Sequence, residues 1–187
     1  MDKLFNNQQI LPAARNIKDL ERLLQMDYEY IVILDTHIGH LQSIMKLVNQ
    51  HKKKVFLHME LIHGIQSDAY GTEYICQEFK PYGIMSTKTN VILKAKQNGV
   101  IAVQRIFLLD SGSLTKSYSL LEKTKPDYIE VLPGAMPSVV EEVKTKTLIP
   151  ILAGGFIRTV KDVKDAIKAG ATAVTTSQKE LWQIFEK

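Results

Sequence analysis

Two segments near the carboxyl end of the chain carry the sharpest chemistry in the sequence. Ala153-Gly154-Gly155-Phe156-Ile157 leaves an apolar stretch and precedes a helix that opens near Thr159. Thr175-Thr176-Ser177 leaves the next apolar stretch and precedes the last helix. Glycine lets backbone amides close on an anion. A helix N-terminus adds unpaired N–H groups and a partial positive charge. Gly154, Gly155, Thr176 and Ser177 are therefore expected to cradle a phosphate. The plainer alternatives are a tight turn at Gly154-Gly155 and a helix cap at Ser177.

A second set of polar groups stands at the ends of apolar runs: Arg15, Asp35, Glu60, Lys88, Gln104, Arg105 and Glu130. Side chains alternate across a strand. In the run Val55 to Glu60, alternation places Val55, Leu57 and Met59 on one face and Phe56, His58 and Glu60 on the other. It likewise groups Ile31, Ile33 and Asp35, Ser86 and Lys88, and Tyr128 and Glu130. The polar ends are expected to converge on one rim. Such groups can orient a ligand, act as acid and base, or pair with one another. Lys88 can serve as a base or form a Schiff base, with Glu60 or Glu130 as the acid.

Other constellations say less. His37-x-x-His40 has no third ligand in view, so no metal site is expected. His58 reads equally as a satisfied core group or a ligand contact. Cys76 lies in a helical stretch with no adjacent base and is expected to be inert. Met26, Met45, Met85 and Met136 read as core or flanks, and Trp182 with Phe185 as a seal for the last helix.

The elements that must position these groups repeat one pattern. An apolar run is followed by a polar turn and an amphipathic stretch, eight times between Gln9 and Phe185. The third helix is expected over Thr72–Phe79. Asn98-Gly99 and Ala169-Gly170 mark helix stops. Strict alternation forces parallel strands joined by right-handed crossovers. Eight units close into a (β/α)8, TIM-type barrel of one domain spanning 1–187, whose ligand rim is the C-terminal end of the strands. An open doubly wound sheet is the rival, and no Gly-x-Gly-x-x-Gly follows the first strand to support its dinucleotide-binding form.

Composition sets the outer limits. The chain has 187 residues, 45% hydrophobic and 24% charged, with net charge +4 and one cysteine. That excludes a disulfide-stapled mini-protein and a disordered chain. No apolar run approaches the roughly 18 residues of a membrane span. The opening Met1-Asp2-Lys3-Leu4-Phe5 lacks the basic-then-apolar build of a signal peptide. A cytoplasmic protein without membrane contact is expected; homo-oligomerisation stays open. Lysines gather at helix ends, at Lys52, Lys53, Lys54, Lys123, Lys125, Lys144 and Lys146. All map to the barrel face opposite the phosphate rim. They either complement helix dipoles or form a platform for RNA.

Six strings in order carry a resemblance. They are Phe56-Leu57-His58-Met59-Glu60-Leu61-Ile62-His63-Gly64, Gly83-Ile84-Met85-Ser86-Thr87-Lys88, Val103-Gln104-Arg105-Ile106-Phe107-Leu108-Leu109-Asp110-Ser111, Pro126-Asp127-Tyr128-Ile129-Glu130-Val131-Leu132-Pro133-Gly134, Ile151-Leu152-Ala153-Gly154-Gly155 and Thr175-Thr176-Ser177. Together they resemble the glycerol uptake operon antiterminator regulatory proteins of low-GC Gram-positive bacteria. The resemblance implies a regulator without catalytic activity or cofactor. Its effector would be glycerol 3-phosphate and its partner a leader mRNA. It further implies that Gly154, Gly155, Thr176 and Ser177 hold the phosphate and that Arg15, Glu60, Lys88, Arg105 and Glu130 line the rest of the pocket. An isomerase, epimerase or aldolase for a small phosphorylated substrate on the same barrel is the alternative.

Overall fold

The computed structural model describes residues 4–186. Met1, Asp2 and Lys3, on which the reading of the chain's start partly rests, lie outside the described residues, as does Lys187. Among the described residues eight barrel strands alternate with eight helices, and two further two-residue strands, Thr36–His37 and Ile62–His63, pair as a separate small sheet. The strands are β1 (Ile10–Ala14), β2 (Tyr30–Ile33), β3 (Lys54–His58), β4 (Gly83–Ser86), β5 (Ile101–Phe107), β6 (Tyr128–Leu132), β7 (Ile151–Gly154) and β8 (Ala173–Thr176). The helices are α1 (Ile17–Gln25), α2 (Ile38–Gln50), α3 (Ala69–Phe79), α4 (Thr89–Gln97), α5 (Ser111–Thr124), α6 (Pro137–Lys146), α7 (Val160–Lys168) and α8 (Lys179–Ile184).

Neighbouring strands pair in parallel, and β8 returns to β1 with Ile10 opposite Val174 and Pro12 opposite Thr176. The cylinder is closed, so no sheet edge is left unpaired. The expected (β/α)8 barrel is the observed fold. No helix among the described residues is long and apolar enough to cross a membrane.

Each strand buries both faces, as a parallel sheet must. Ile31, Ile33, Val55, Leu57, Ile84, Ile129 and Val131 pack outward under the helices. Leu11, Ala13, Val32, Phe56, Met85, Val103, Leu152 and Ala173 fill the interior. The N-terminal mouth is stoppered by aromatic rings. Phe5 sits edge-on to Tyr30 at 5.2 Å and lies 5.0 Å from Tyr128, and Tyr82 meets Phe56 at 5.3 Å. Gln8 holds this stopper in place. Its Nε2 donates to the carbonyls of Ile10 (2.8 Å) and Tyr30 (2.6 Å), and its Oε1 accepts from the Glu29 and Tyr30 amides. The interior is thus closed at one end and available only at the other.

The same alternation corrects two expected rim residues. Asp35 continues the outward face of Ile31 and Ile33; it is exposed and pairs with His63 at 3.1 Å. Gln104 is outward too, wholly buried, and donates to the Thr87 carbonyl at 3.0 Å. Two local features also differ. The third helix starts three residues earlier than expected, at Ala69, because the Asp68 side chain accepts from the Gly71 amide and caps it. His37 caps α2 in the same way, through Nδ1 to the Gly39 amide. Burial pushes the Cys76 thiol up to about 11.

Trp182 seals the last helix as expected. It is fully buried, its indole N–H donates to the Thr176 carbonyl at 3.0 Å, and its own carbonyl accepts from the Tyr28 hydroxyl at 2.6 Å. Trp182→Ala is expected to lower unfolding free energy by about 3–5 kcal/mol. Urea denaturation would show this as a lower midpoint at unchanged slope.

Candidate functional site

The open end of the barrel holds a cavity of about 330 Å³. Its floor is apolar: Ala13, Val32, Leu34, Met85 and Leu132. One wall is the turn Gly155-Phe156-Ile157-Arg158 after β7, beside Thr176-Ser177-Gln178 after β8. The other wall carries His58, Arg105 and Glu130 from the ends of β3, β5 and β6. Arg15, from the end of β1, reaches across and donates from Nε to the Ser177 hydroxyl at 3.0 Å.

Of the residues expected here, Arg15, Arg105, Glu130, Gly155, Thr176 and Ser177 all line the cavity. Three others do not. Lys88 is exposed, and its ammonium donates to the Ser67 carbonyl at 2.9 Å, outside the cavity. Ser86 and Lys88 share the outward face of β4, so alternation turns the lysine away. Among the described residues no lysine lines the cavity. Glu60 leaves the inward face because Met59–Leu61 turns as a 3-10 helix and breaks the strand's alternation. Its carboxylate lies behind His58 and accepts from the Ser86 hydroxyl (2.8 Å) and from the Thr87 amide (2.6 Å) and hydroxyl (2.8 Å). Gly154 faces inward beneath the cavity without lining it. A Cβ there would come within 2.5 Å of Glu130 Oε1 and Thr175 Oγ1. This glycine makes room for the Glu130 carboxylate.

Glu130 is the hub of the far wall. It accepts from Arg105 Nε at 2.5 Å and from Thr175 Oγ1 at 2.6 Å. Arg105 also donates from Nη1 to His58 Nε2. That bond requires the His58 proton on Nδ1, which faces Glu60 Oε2 at 3.6 Å. A buried string therefore runs Glu60, His58, Arg105, Glu130, Thr175, with alternating charge at its ionic members. Burial, and next the Arg105 charge, hold the His58 pKa below its ordinary value. Burial by itself would raise Glu60, but the bonds from Thr87 and Ser86 outweigh it and its pKa is lowered.

Arg158, Phe156 and Gln178 are pocket residues that sequence patterning overlooked. An arginine in the short link between Gly-Gly and the Thr159 cap was the available signal for the first. The N-terminus of α7 is itself satisfied: Asp162 accepts from the Arg158 and Thr159 amides at 2.9 and 2.8 Å. The groups left facing the cavity are consequently those of the turn and Arg158 rather than the helix end. Gly155, at φ 78°, and Phe156, at φ 58°, put two successive residues in the left-handed region. Gly155 follows directly on the ladder in which Gly154 stands opposite Thr175; among the described residues the Phe156 amide, beyond the ladder, has no acceptor, and neither Arg15 nor Arg158 has a carboxylate partner within 4.0 Å.

The lysines do lie at the opposite face, at the C-terminal ends of helices. Lys53 donates to the Met26 carbonyl at 2.6 Å, and Lys54 pairs with Glu29 at 2.7 Å. Lys52 and Lys125 take left-handed turns. Lys144 and Lys146 end α6, Lys123 ends α5, and Lys146 sits 6.0 Å over the Tyr118 ring.

A closed parallel barrel with a small, arginine-flanked cavity at its C-terminal rim defines a protein of the TIM-barrel type. Its affiliation is narrower than that. The family model described as "glycerol-3-phosphate responsive antiterminator" matches residues 10–182, and the chain belongs to that family. It is similar to the crystal structure of the glycerol uptake operon antiterminator regulatory protein from Listeria monocytogenes str. 4b F2365. That match has 45% identity and a TM-score of 0.93, covering 96% of this chain and 97% of that one. A glycerol uptake operon antiterminator-related protein from Thermotoga maritima MSB8 has 25% identity and a TM-score of 0.83, covering 94% and 98%. The Escherichia coli (strain K12) protein YgcP is 27% identical over 184 residues, 98% of this chain and 96% of its own.

The buried string yields two expectations. Glu130→Ala strands the Arg105 charge and should cost about 3–5 kcal/mol of stability. The Arg105→Met, Glu130→Ala double variant should cost clearly less than the two single losses added together, as read from urea midpoints. The pH dependence follows from the lowered values. A depressed His58 favours the neutral ring in the fold, so its contribution is complete above about pH 6.5 and is lost as pH falls below it. A depressed Glu60 adds a further loss below about pH 4.5. Denaturation midpoints should decline in two stages on acidification, and His58→Gln should abolish the upper one.

Proposed function

We propose that the protein is a glycerol 3-phosphate-responsive antiterminator that acts on a leader mRNA in the cytoplasm and so controls genes for glycerol uptake and use. One observation carries the ligand part: two guanidiniums without carboxylate partners, Arg15 and Arg158, flank the Gly155-Phe156 turn in a cavity of about 330 Å³, and the Phe156 amide has no acceptor among the described residues. A phosphate monoester carries nearly two negative charges at neutral pH. Arg105 is already neutralised by Glu130, so the two remaining arginines match that charge. At about 30 Å³ per water, the space is that of about ten waters, and it suits a three-carbon phosphate better than a nucleotide. With the phosphate against Arg15, Arg158, Ser177 and the Gly155 and Phe156 amides, the glycerol hydroxyls meet Glu130, Arg105 and His58.

Such a pocket needs no chemistry to regulate. A ligand shifts RNA affinity only as far as it binds one conformation better than the other. The Gly155-Phe156 turn, with two successive residues at positive φ, is the element a phosphate would order.

Calorimetry with sn-glycerol 3-phosphate, glycerol and inorganic phosphate tests the ligand. The phosphoester should bind far more tightly than either fragment. Removing one charged hydrogen-bonding partner costs about 1.5–3 kcal/mol, so Arg158→Ala should weaken binding by about 10- to 100-fold. A gel shift with a terminator-bearing leader transcript at low salt, with and without the ligand, tests the partner. Absence of any RNA complex there, or turnover of triose or pentose phosphates at enzymatic rates, would overturn the regulatory reading.

A further inference from the structure

Most of the exposed large apolar side chains stand at one end of the molecule. Ile17, Tyr70, Phe107, Leu109, Met136 and Phe156 lie at the C-terminal end of the barrel, whereas Leu148 and Ile184 lie at the other end and Tyr74 within α3. At the lysine-bearing end the rings of Phe5, Tyr30, Phe56 and Tyr128 are buried in the stopper, and Tyr82, partly exposed with Lys54 5.4 Å from its centroid, is packed against them.

Two of the exposed side chains differ from ordinary apolar surface. Phe156 is 68% exposed and Phe107 49%. Each has a guanidinium against its ring: Arg158 lies 5.5 Å from the Phe156 centroid, and Arg105 lies 5.4 Å from that of Phe107. Both arginines also line the ligand cavity. Phe156 holds its ring outward from a left-handed backbone, φ 58°, that a bulky residue adopts only at a cost. Asp110 and Asp162, the acids next to these loops, are turned back as caps of α5 and α7. The mouth therefore presents two aromatic faces, Phe156 against the unpaired Arg158 and Phe107 against Arg105, whose charge Glu130 already balances. That is the chemistry that receives unstacked nucleobases and their phosphates. A face of lysines whose rings are buried or half-buried offers chiefly the phosphate half.

We propose that the RNA-contacting surface of this protein is the mouth of the ligand cavity, where unpaired bases of the leader transcript stack on Phe156 and Phe107. The proposal rests on the antiterminator reading above and adds where the RNA sits and how the effector reaches it. Arg158 touches both the cavity and the Phe156 ring. A phosphate that fixes Arg158 and the Gly155-Phe156 turn thereby fixes the ring. The effect is reciprocal: whatever factor the effector adds to RNA affinity, RNA adds to effector affinity.

Fluorescence anisotropy with a labelled terminator-bearing leader RNA, with and without sn-glycerol 3-phosphate, tests this on the full chain. Phe156→Leu and Phe107→Leu should each weaken RNA binding by about tenfold, the scale of one lost base stack. Phe156→Trp should retain it. The salt dependence should be unchanged in all three, because no cation is lost. Phe107→Leu should bind glycerol 3-phosphate normally in calorimetry, which verifies that the pocket is intact. Replacing Lys52, Lys53 and Lys54 together with alanine should leave RNA affinity within a few fold.

Wild-type RNA affinity in both leucine variants would overturn the proposal. So would a lysine triple variant that loses RNA binding and salt dependence together, which would move the RNA to the opposite face. If the leucine variants turn a sedimenting dimer into a monomer while RNA affinity holds, the rings are a contact between copies and the proposal fails. If wild type binds no leader RNA at low salt, the antiterminator reading falls, and this surface falls with it.

Discussion

The open end of the barrel depends on one carboxylate. Glu130 projects inward from β6 into an almost fully buried position, where an unpaired charge would be untenable. Arg105 from β5 and Thr175 from β8 satisfy it, and Gly154 on β7 leaves it room. Four consecutive strands of the cylinder are thus specified around a single group. A buried ion pair adds little net stability over a well-packed apolar pair. What it adds here is position: the arginine is held rigid between Glu130 and His58, and the cavity keeps a polar wall that water does not collapse.

That constraint explains the division of labour between the two ends of the molecule. The N-terminal end is packed with rings and locked by Gln8, so it gives the barrel its closed bottom. The C-terminal end trades packing for unsatisfied polar groups. Its guanidiniums at Arg15 and Arg158 and its left-handed Phe156, whose amide has no acceptor among the described residues, are all features that a stability-optimised barrel would lack. They occupy a contiguous wall, formed by the turns after β7 and β8 with the end of β1 across from them.

Much of this architecture is legible in the amino-acid order, because the barrel repeats one local rule eight times. Apolar β-branched runs, capping side chains and terminal glycines each act within a few residues of themselves. They place strands, helices and the glycine turn after β7 without reference to the remainder of the chain. The misplaced residues fail for a shared reason. Asp35, Lys88 and Gln104 lie beside the correct strands but on the outward parity, and Glu60 loses its parity to a short 3-10 turn. Arg158 escaped notice because no periodicity governs a four-residue link.

The order of residues alone determined the (β/α)8 alternation, the end of the barrel that carries polar chemistry, and the turn suited to an anion. These depend on short-range hydrogen bonding and on the two-residue period of a strand. Only the tertiary structure decided which charges neutralise each other and which stay available. Arg105 meets Glu130, Lys54 meets Glu29 and Lys88 meets the Ser67 carbonyl, while Arg15 and Arg158 are left for a ligand. Pairing of that kind is a matter of distance in space between residues far apart in the chain. Coulombic attraction and desolvation act across that distance and take no account of sequence separation.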